Sequence, residues 1–283
     1  MKKITRILFC FLPFLLAYAV QICASIPVMG IVFADTMLKA EPGGSFWSMY
    51  MDFANVLTDS DVSGWISLLY AVICIFVFGY WYQKRFHGLD LKTLPSHFNP
   101  ALLVGLVLLV PGLQYLSNYV VSITAAIHPQ WLNTYEKLME TAGLTDVSLI
   151  MALYAVFVGP ICEELIFRGV TMTYAEERLS FWAANLLQAG LFGLYHLNVI
   201  QGVYAFFVGL FFGYVYHKTK SIFPTMLLHM MFNAWGVFMD GKSFMYKADT
   251  PIFFVVWFMV GIILTILGIF FTKKGSLLSK TAE

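Results

Sequence analysis

Long apolar runs recur along the whole chain, and short polar segments separate them. There are eight such runs, at residues 7–34, 65–82, 100–126, 147–170, 181–198, 200–217, 222–239 and 251–272. A run of roughly 20 apolar residues can cross the hydrocarbon core as an α-helix, and backbone groups at that depth must pair within the segment. The runs do not alternate as outer-membrane β-strands do. The pattern therefore predicts an all-α polytopic membrane protein of about eight transmembrane helices, forming a single domain over residues 1–283.

Composition agrees with a membrane protein. Hydrophobic residues make up 60% of the chain and charged residues 12%, whereas a soluble domain carries about 25% charged residues. The mean hydropathy is +0.77. The net charge is +1, and no basic stripe indicates nucleic-acid binding. The lipid bilayer is therefore an expected partner and nucleic acid is not.

The basic amino terminus could belong either to a secretory signal peptide or to a retained helix. The apolar run that follows exceeds the roughly 7–15 residues usual in a signal peptide, and no clean A-x-A site comes after it. We therefore expect a retained first helix.

Positive charges predict the orientation. With the amino terminus in the cytoplasm, twelve Lys and Arg residues lie on the cytoplasmic side and four on the other side, which is the expected positive-inside bias. Both termini are therefore predicted to be cytoplasmic. The twelve are Lys2, Lys3, Arg6, Lys84, Arg85, Lys92, Arg178, Lys218, Lys220, Lys273, Lys274 and Lys280; the four are Lys39, Lys137, Lys242 and Lys247.

Two local patterns predict departures from plain spanning helices. In the external loop 35–64, the segment 45–57 interleaves aromatic and Met residues with polar ones. This is typical of a short helix in the membrane interface or of a loop with aromatic anchors, and both readings stay open. Pro111 and Pro160 lie inside apolar runs, where they should kink or widen the helix.

Ionisable residues at membrane depth are concentrated in residues 147–240, whereas the helices of residues 1–140 carry no such motif. Each one costs roughly 2.5–3.5 kcal/mol at the centre of a helix, so partners are needed. Glu164 and Arg168 are four residues apart and can form an ion pair on one helix face. Glu163 is rotated by about 100° from Glu164 and is left over. A leftover carboxylate in a low-dielectric site is suited to act as a general base.

Candidate partners for Glu163 come from two later runs. His196 follows Phe192 by one turn, and His229 precedes Asn233 by one turn, so each pair shares a helix face. The other histidines fall in loops or at span ends, where they are expected to be solvated. They are His87, His97, His128 and His217.

The predicted membrane depths of the three candidate residues agree only in part. At about 1.5 Å per residue, Glu163 and His196 lie roughly 22 and 24 Å from the ends of their spans, whereas His229 lies only about 12 Å from Ser221. Convergence therefore requires residues 218–224 to dip below the headgroups.

These side chains suffice for amide hydrolysis without a Ser or Cys nucleophile. Glu163 and His196 can hold a water and take its proton, while His229 and Asn233 can donate to a carbonyl oxygen as it becomes negative. Zinc is the alternative, with Glu163, His196 and His229 as ligands. The H-E-x-x-H spacing of the local zinc signature is absent. We therefore favour a site that requires no cofactor.

Three motifs in order carry a family resemblance: Glu163-Glu-x-x-x-Arg168, Phe192-x-x-x-His196 and His229-x-x-x-Asn233. Over about residues 150–240 the chain resembles the CAAX-protease and bacteriocin-processing (CPBP, or Abi) family of intramembrane proteases. That family includes type II CAAX prenyl endopeptidases and lysostaphin-resistance-like proteins, and its members are often labelled metalloproteases. The resemblance implies an eight-helix bundle with a membrane-embedded catalytic cavity. It implies Glu163 as catalytic base, His196 as the water-holding residue, His229 and Asn233 as the oxyanion site, and Glu164, Arg168 and Phe192 as structural support.

The favoured function is therefore an intramembrane endopeptidase acting on a membrane-associated peptide or protein. Peptide maturation, bacteriocin immunity and surface-protein processing are the expected settings, since the chain looks bacterial and prenylated substrates are then less expected. A transporter that uses the buried charges as a relay is one alternative, although no inverted repeat is apparent. A non-catalytic immunity or scaffold protein that keeps the fold is another.

Overall fold

A computed structural model describes residues 8–40, 43–57, 59–89, 98–141, 147–239 and 251–281. Over these ranges the protein is built from ten helices and contains no β-strand. The helices are α1 Leu12–Lys39, α2 Phe46–Leu57, α3 Ser60–Phe86, α4 Pro100–Ile127, α5 Pro129–Thr141, α6 Leu149–Glu176, α7 Phe181–Tyr195, α8 Val199–Thr219, α9 Phe223–Met239 and α10 Pro251–Thr281.

Six of these helices, namely α1, α3, α4, α6, α8 and α10, are long and apolar enough to cross a membrane. The prediction of an all-α polytopic membrane protein is confirmed. The runs at 181–198 and 222–239 form helices of 15 and 17 residues, which are shorter than the roughly 20 residues that span the hydrocarbon core. Helix α7 ends early because the chain turns at His196 and Leu197, where Leu197 adopts a positive φ of 54°.

Helix α6 is continuous but locally widened. It contains two π-helical stretches, Tyr154–Val158 and Leu165–Met172, on either side of the α-helical segment Gly159–Glu164. Pro160 lies in that segment, as the predicted local widening requires. A π-helical turn shifts the register of the side chains that follow it, and such turns are frequent at functional sites. The segment between the two stretches carries Glu163 and Glu164.

The segment at 45–57 is helical, as one of the two readings predicted. Helix α2 has no buried residue, and Trp47 stacks on Tyr50 with ring centroids 5.4 Å apart. Exposed aromatic side chains on a short helix are typical of the membrane interface.

Small residues allow close helix packing around α6. A Cβ on Gly105 would lie 2.6 Å from the backbone nitrogen of Thr272, so α4 and α10 pack backbone to backbone. A Cβ on Gly193 would lie 2.5 Å from the carbonyl oxygen of Gly202, so α7 and α8 do the same. The first contact joins α4 to α10 and the second joins α7 to α8, the two helices that lie on either side of His196 in the chain.

Candidate active site

Glu164 and Arg168 form the ion pair that their spacing predicts. The Arg168 Nη1 donates to Glu164 Oε1 at 2.9 Å, and both side chains are 0% exposed. The Arg168 Nη2 donates to the carbonyl oxygen of Gly209 on α8 at 3.3 Å. Its guanidinium lies 4.5 Å from the ring centroid of Phe192 and 5.2 Å from that of Phe212. The cation is therefore enclosed by a carboxylate, a carbonyl and two aromatic faces.

His229 connects the two neighbouring glutamates. Its Nδ1 lies 2.8 Å from Glu164 Oε1, and its Nε2 lies 3.6 Å from Glu163 Oε2. The first distance is a hydrogen bond and the second is slightly longer than one. Because an ionised Glu164 can only accept, Nδ1 donates, and the ring is oriented with Nε2 towards Glu163. From the sequence, Arg168 was the only predicted partner of Glu164. The contact with His229 joins residues 65 positions apart, and helical spacing cannot reveal such a contact.

Glu163 is the glutamate that faces open space. Its side chain is 13% exposed, whereas that of Glu164 is 0% exposed. Glu163 lines a cavity of about 910 Å³, and so do His196, His229 and Asn233. The four residues that the sequence placed around a common pocket therefore border the same cavity, contributed by α6, the end of α7, and α9.

His196 and Asn233 are each held by a backbone carbonyl. The His196 Nδ1 lies 2.9 Å from the carbonyl oxygen of Phe192, which leaves its Nε2 as the uncommitted nitrogen. The Asn233 Nδ2 donates to the carbonyl oxygen of Ala155 at 2.8 Å, within the first π-helical stretch of α6. The widened turn of α6 thus supplies the acceptor that positions the amide of α9.

The depth mismatch at His229 disappears in the packed structure. Ser221 and Ile222 are buried, and Ile222 Cδ1 would lie 3.1 Å from a Cβ placed on Gly169. Gly169 precedes Glu176, the last residue of α6, by seven residues, or about 10 Å along a helix. The chain between α8 and α9 therefore returns into the bundle before α9 begins, as convergence required.

Helices without a motif supply much of the cavity wall. Residues from α1, α4 and α5 line it together with the motif-bearing helices, and the sequence analysis did not identify them. They are Tyr18, Gln21, Gln114, Ser117, Asn118, Tyr119, Val121, Ser122, Leu132, Tyr135, Glu136 and Met139. Nothing in their spacing distinguishes them from ordinary helix-packing positions.

The zinc alternative names Glu163, His196 and His229 as the ligands of one ion. Across the ranges that the structure describes, no three His, Cys, Asp or Glu side chains are grouped so as to hold one metal ion. His229 directs both of its ring nitrogens at carboxylates of α6. Glu163, His196 and His229 share a cavity but do not form a three-ligand set around one point.

Comparison with known proteins supports the family resemblance. Residues 145–235 match the family described as Type II CAAX prenyl endopeptidase Rce1-like, and this segment carries all three motifs. The chain is 31% identical over 91 residues to a Bacillus subtilis (strain 168) protein named "Putative membrane peptidase YdiL". That alignment covers 32% of this chain and 37% of the relative. No solved structure matches the chain. The predicted resemblance to the CAAX-protease and bacteriocin-processing family is confirmed over residues 145–235.

Proposed function

Residues 145–235 are similar to the type II CAAX prenyl endopeptidase family. On this basis we propose that the protein is an intramembrane endopeptidase. It hydrolyses a peptide bond in a membrane-associated peptide or protein, using water activated by Glu163. One observation carries the proposal: Glu163, His196, His229 and Asn233 line a single cavity of about 910 Å³.

Each group has a role that its contacts permit. Glu163 accepts a proton from the water, while His196, whose Nδ1 is held by the Phe192 carbonyl, offers Nε2 to the same water. The water oxygen then attacks the carbonyl carbon of the substrate. The proton on Glu163 passes to the leaving amine as the C–N bond breaks, so a carboxyl and an amine product are released.

The developing oxyanion meets donors from α9. The second hydrogen of the Asn233 amide is available, because the first is donated to Ala155. His229, whose Nδ1 is held by Glu164, presents Nε2 on the side of Glu163 and donates from it when that nitrogen carries a proton. Glu164 and Arg168 are positioning residues, since Arg168 anchors Glu164 and Glu164 orients His229.

The test is hydrolysis of defined peptides by the purified protein in detergent micelles, followed by mass spectrometry. A farnesylated CAAX-type peptide and unprenylated apolar peptides are compared, each with and without a chelator. We expect Glu163→Gln to lower kcat at least about 100-fold, the lower end of the usual contribution of a general base. The thermal midpoint should not change, because Glu163 makes no close hydrogen bond to its neighbours on α9.

Two results would contradict the proposal. One is full cleavage by Glu163→Gln. The other is a biological function that survives in the Glu163→Ala, His196→Ala double variant, which would assign a scaffold or immunity role. Loss of activity on chelation, restored by zinc, would replace the metal-independent mechanism with the zinc alternative while leaving the peptidase assignment in place.

A further inference from the structure

The charged side chains around the cavity are of one sign. Its described lining includes two carboxylates, Glu163 and Glu136, and no lysine or arginine. The remaining polar side chains are neutral amides, hydroxyls and imidazoles, among them Gln114 and Gln201. A peptide that enters the cavity therefore meets negative charge without a compensating cation in the described wall.

The cations closest in sequence to these carboxylates do not reach the cavity. Arg168 is 0% exposed and is enclosed by Glu164, Phe192 and Phe212. Lys137, which follows Glu136, does not line the cavity; it borders a surface hollow together with Asn133, Glu140 and Glu136, and of these four residues only Glu136 also lines the cavity.

Helix α5 brings Glu136 to the rim. Tyr135 of α5 lies against Tyr204 of α8, with ring centroids 6.4 Å apart, and both rings line the cavity. Glu136 is exposed, whereas Glu163 is largely buried. The cavity thus has a carboxylate at its solvent-exposed edge and another at the catalytic position.

The wall also offers an unused polar group for a peptide. Ser117 lines the cavity and is 4% exposed, and its hydroxyl has no hydrogen-bond partner in the described structure. Buried hydroxyls are normally satisfied, so an unsatisfied one beside a cavity is suited to a ligand that brings its own amide groups.

We infer that the site prefers a substrate with a lysine or arginine in the stretch that lies at the cavity rim, outside the residues that flank the scissile bond, and that Glu136 is the residue that recognises this charge. The same electrostatics disfavour an acidic residue, or a free C-terminal carboxylate, close to the scissile bond. This inference rests on the proposed peptidase function. It assigns the substrate class by charge, through attraction at the rim and repulsion of anions from Glu163.

The experiment uses quenched fluorogenic peptides in sets of three that carry Lys, Gln or Glu at one position, and the varied position is moved stepwise away from the scissile bond to find the residue that lies at the rim. For the wild-type protein we expect kcat/KM in the order Lys, Gln, Glu, with steps of about threefold to fivefold, the upper range for a solvent-exposed ion pair. The preference should shrink as ionic strength rises. Glu136→Gln should flatten the order and Glu136→Lys should reverse it.

Glu140→Gln is the matched control. Glu140 lies one turn further along α5, is also exposed, and borders the surface hollow and not the cavity. If Glu140→Gln alters the preference as much as Glu136→Gln does, the effect is general surface charge and the inference is wrong.

Binding separates this inference from the proposed function. Fluorescence anisotropy of the same labelled peptides on the wild-type protein should follow the order Lys, Gln, Glu even if none is cleaved. Absence of cleavage with this binding order would count against the peptidase alone. Equal binding or equal cleavage of the three peptides in every set would overturn the charge preference alone.

Discussion

At the scale of single residues, one step along a helix separates two glutamates into different chemical environments. Glu164 accepts from Arg168 and His229 and is fully enclosed, whereas Glu163 borders the cavity. A rotation of about 100° per residue accounts for the difference, because adjacent side chains cannot share a face. The sequence identifies Glu164 as the enclosed carboxylate because Arg168 follows it by four residues. Glu163 is then identified as the open carboxylate because it has no such partner on its own helix face.

The enclosed pair predicts a stability effect. Arg168→Met leaves the Glu164 carboxylate buried without its cation, and removing one partner of a buried pair costs about 3–5 kcal/mol. We expect a clear fall in the thermal midpoint measured in detergent. Glu163→Gln is the control, and equal midpoints for the two variants would contradict the assigned difference between the glutamates.

At the scale of elements, α7 and α8 form the support behind Arg168. Gln188 of α7 donates to Asn185 Oδ1 at 2.7 Å and to the carbonyl oxygen of Gly209 at 2.9 Å, the same carbonyl that accepts from Arg168. This arrangement needs a glycine opposite Asn185. A Cβ on Gly213 would lie 2.0 Å from Asn185 Oδ1 and 2.6 Å from Gln188 Nε2. Packing of these two helices therefore bears directly on the position of Arg168.

Two glycine substitutions distinguish packing from helix propensity. Gly213→Ala should destabilise the protein by about 1–3 kcal/mol through overpacking. Gly190→Ala on α7 should be neutral or stabilising by up to about 1 kcal/mol, since a Cβ at this position would have no neighbouring atom within 4 Å. Thermal unfolding in detergent measures both, and a similar loss in the two variants would disprove the close contact at Gly213.

At the scale of the whole molecule, a cluster of basic residues that were predicted to be cytoplasmic lies towards the end of the bundle away from α5. Arg85 pairs with Glu177 at 2.6 Å and His217 with Glu176 at 2.6 Å, so the ends of α3, α6 and α8 meet. Of the twelve basic residues predicted to be cytoplasmic, Lys84, Arg85, Arg178, Lys218 and Lys220 lie at this end. Lys2, Lys3, Arg6 and Lys92 lie outside the described residues, as do Lys242 and Lys247 of the opposite set. The cavity lining instead includes residues of α5, of the second half of α4 and of α9 from His229 onwards.

This separation predicts the side from which substrate approaches. With the basic end in the cytoplasm, the rim formed by α5 faces the other side of the membrane. In a variant lacking the native cysteines, Asn133→Cys should react with a membrane-impermeant maleimide in intact cells. Arg178→Cys should react only after permeabilisation. The reverse pattern would show that the predicted orientation is wrong.

The features that could be predicted from the sequence are those set by the order and spacing of residues within one helix. Apolar runs specify membrane helices, because backbone groups have no other partners at that depth. The i,i+4 spacing specifies the Glu164–Arg168 pair, and the order of the three motifs indicates the family matched by residues 145–235. These features do not depend on how the helices pack against one another.

Only the tertiary structure decided which helices meet and at what depth. The His229–Glu164 hydrogen bond joins residues far apart in sequence, and it forms because the chain after α8 re-enters the bundle at Ile222 before α9 begins. The contribution of α4 and α5 to the cavity, including Glu136, follows from packing of helices that carry no motif. Such contacts depend on the relative position of separate helices, which no periodicity within a single helix encodes.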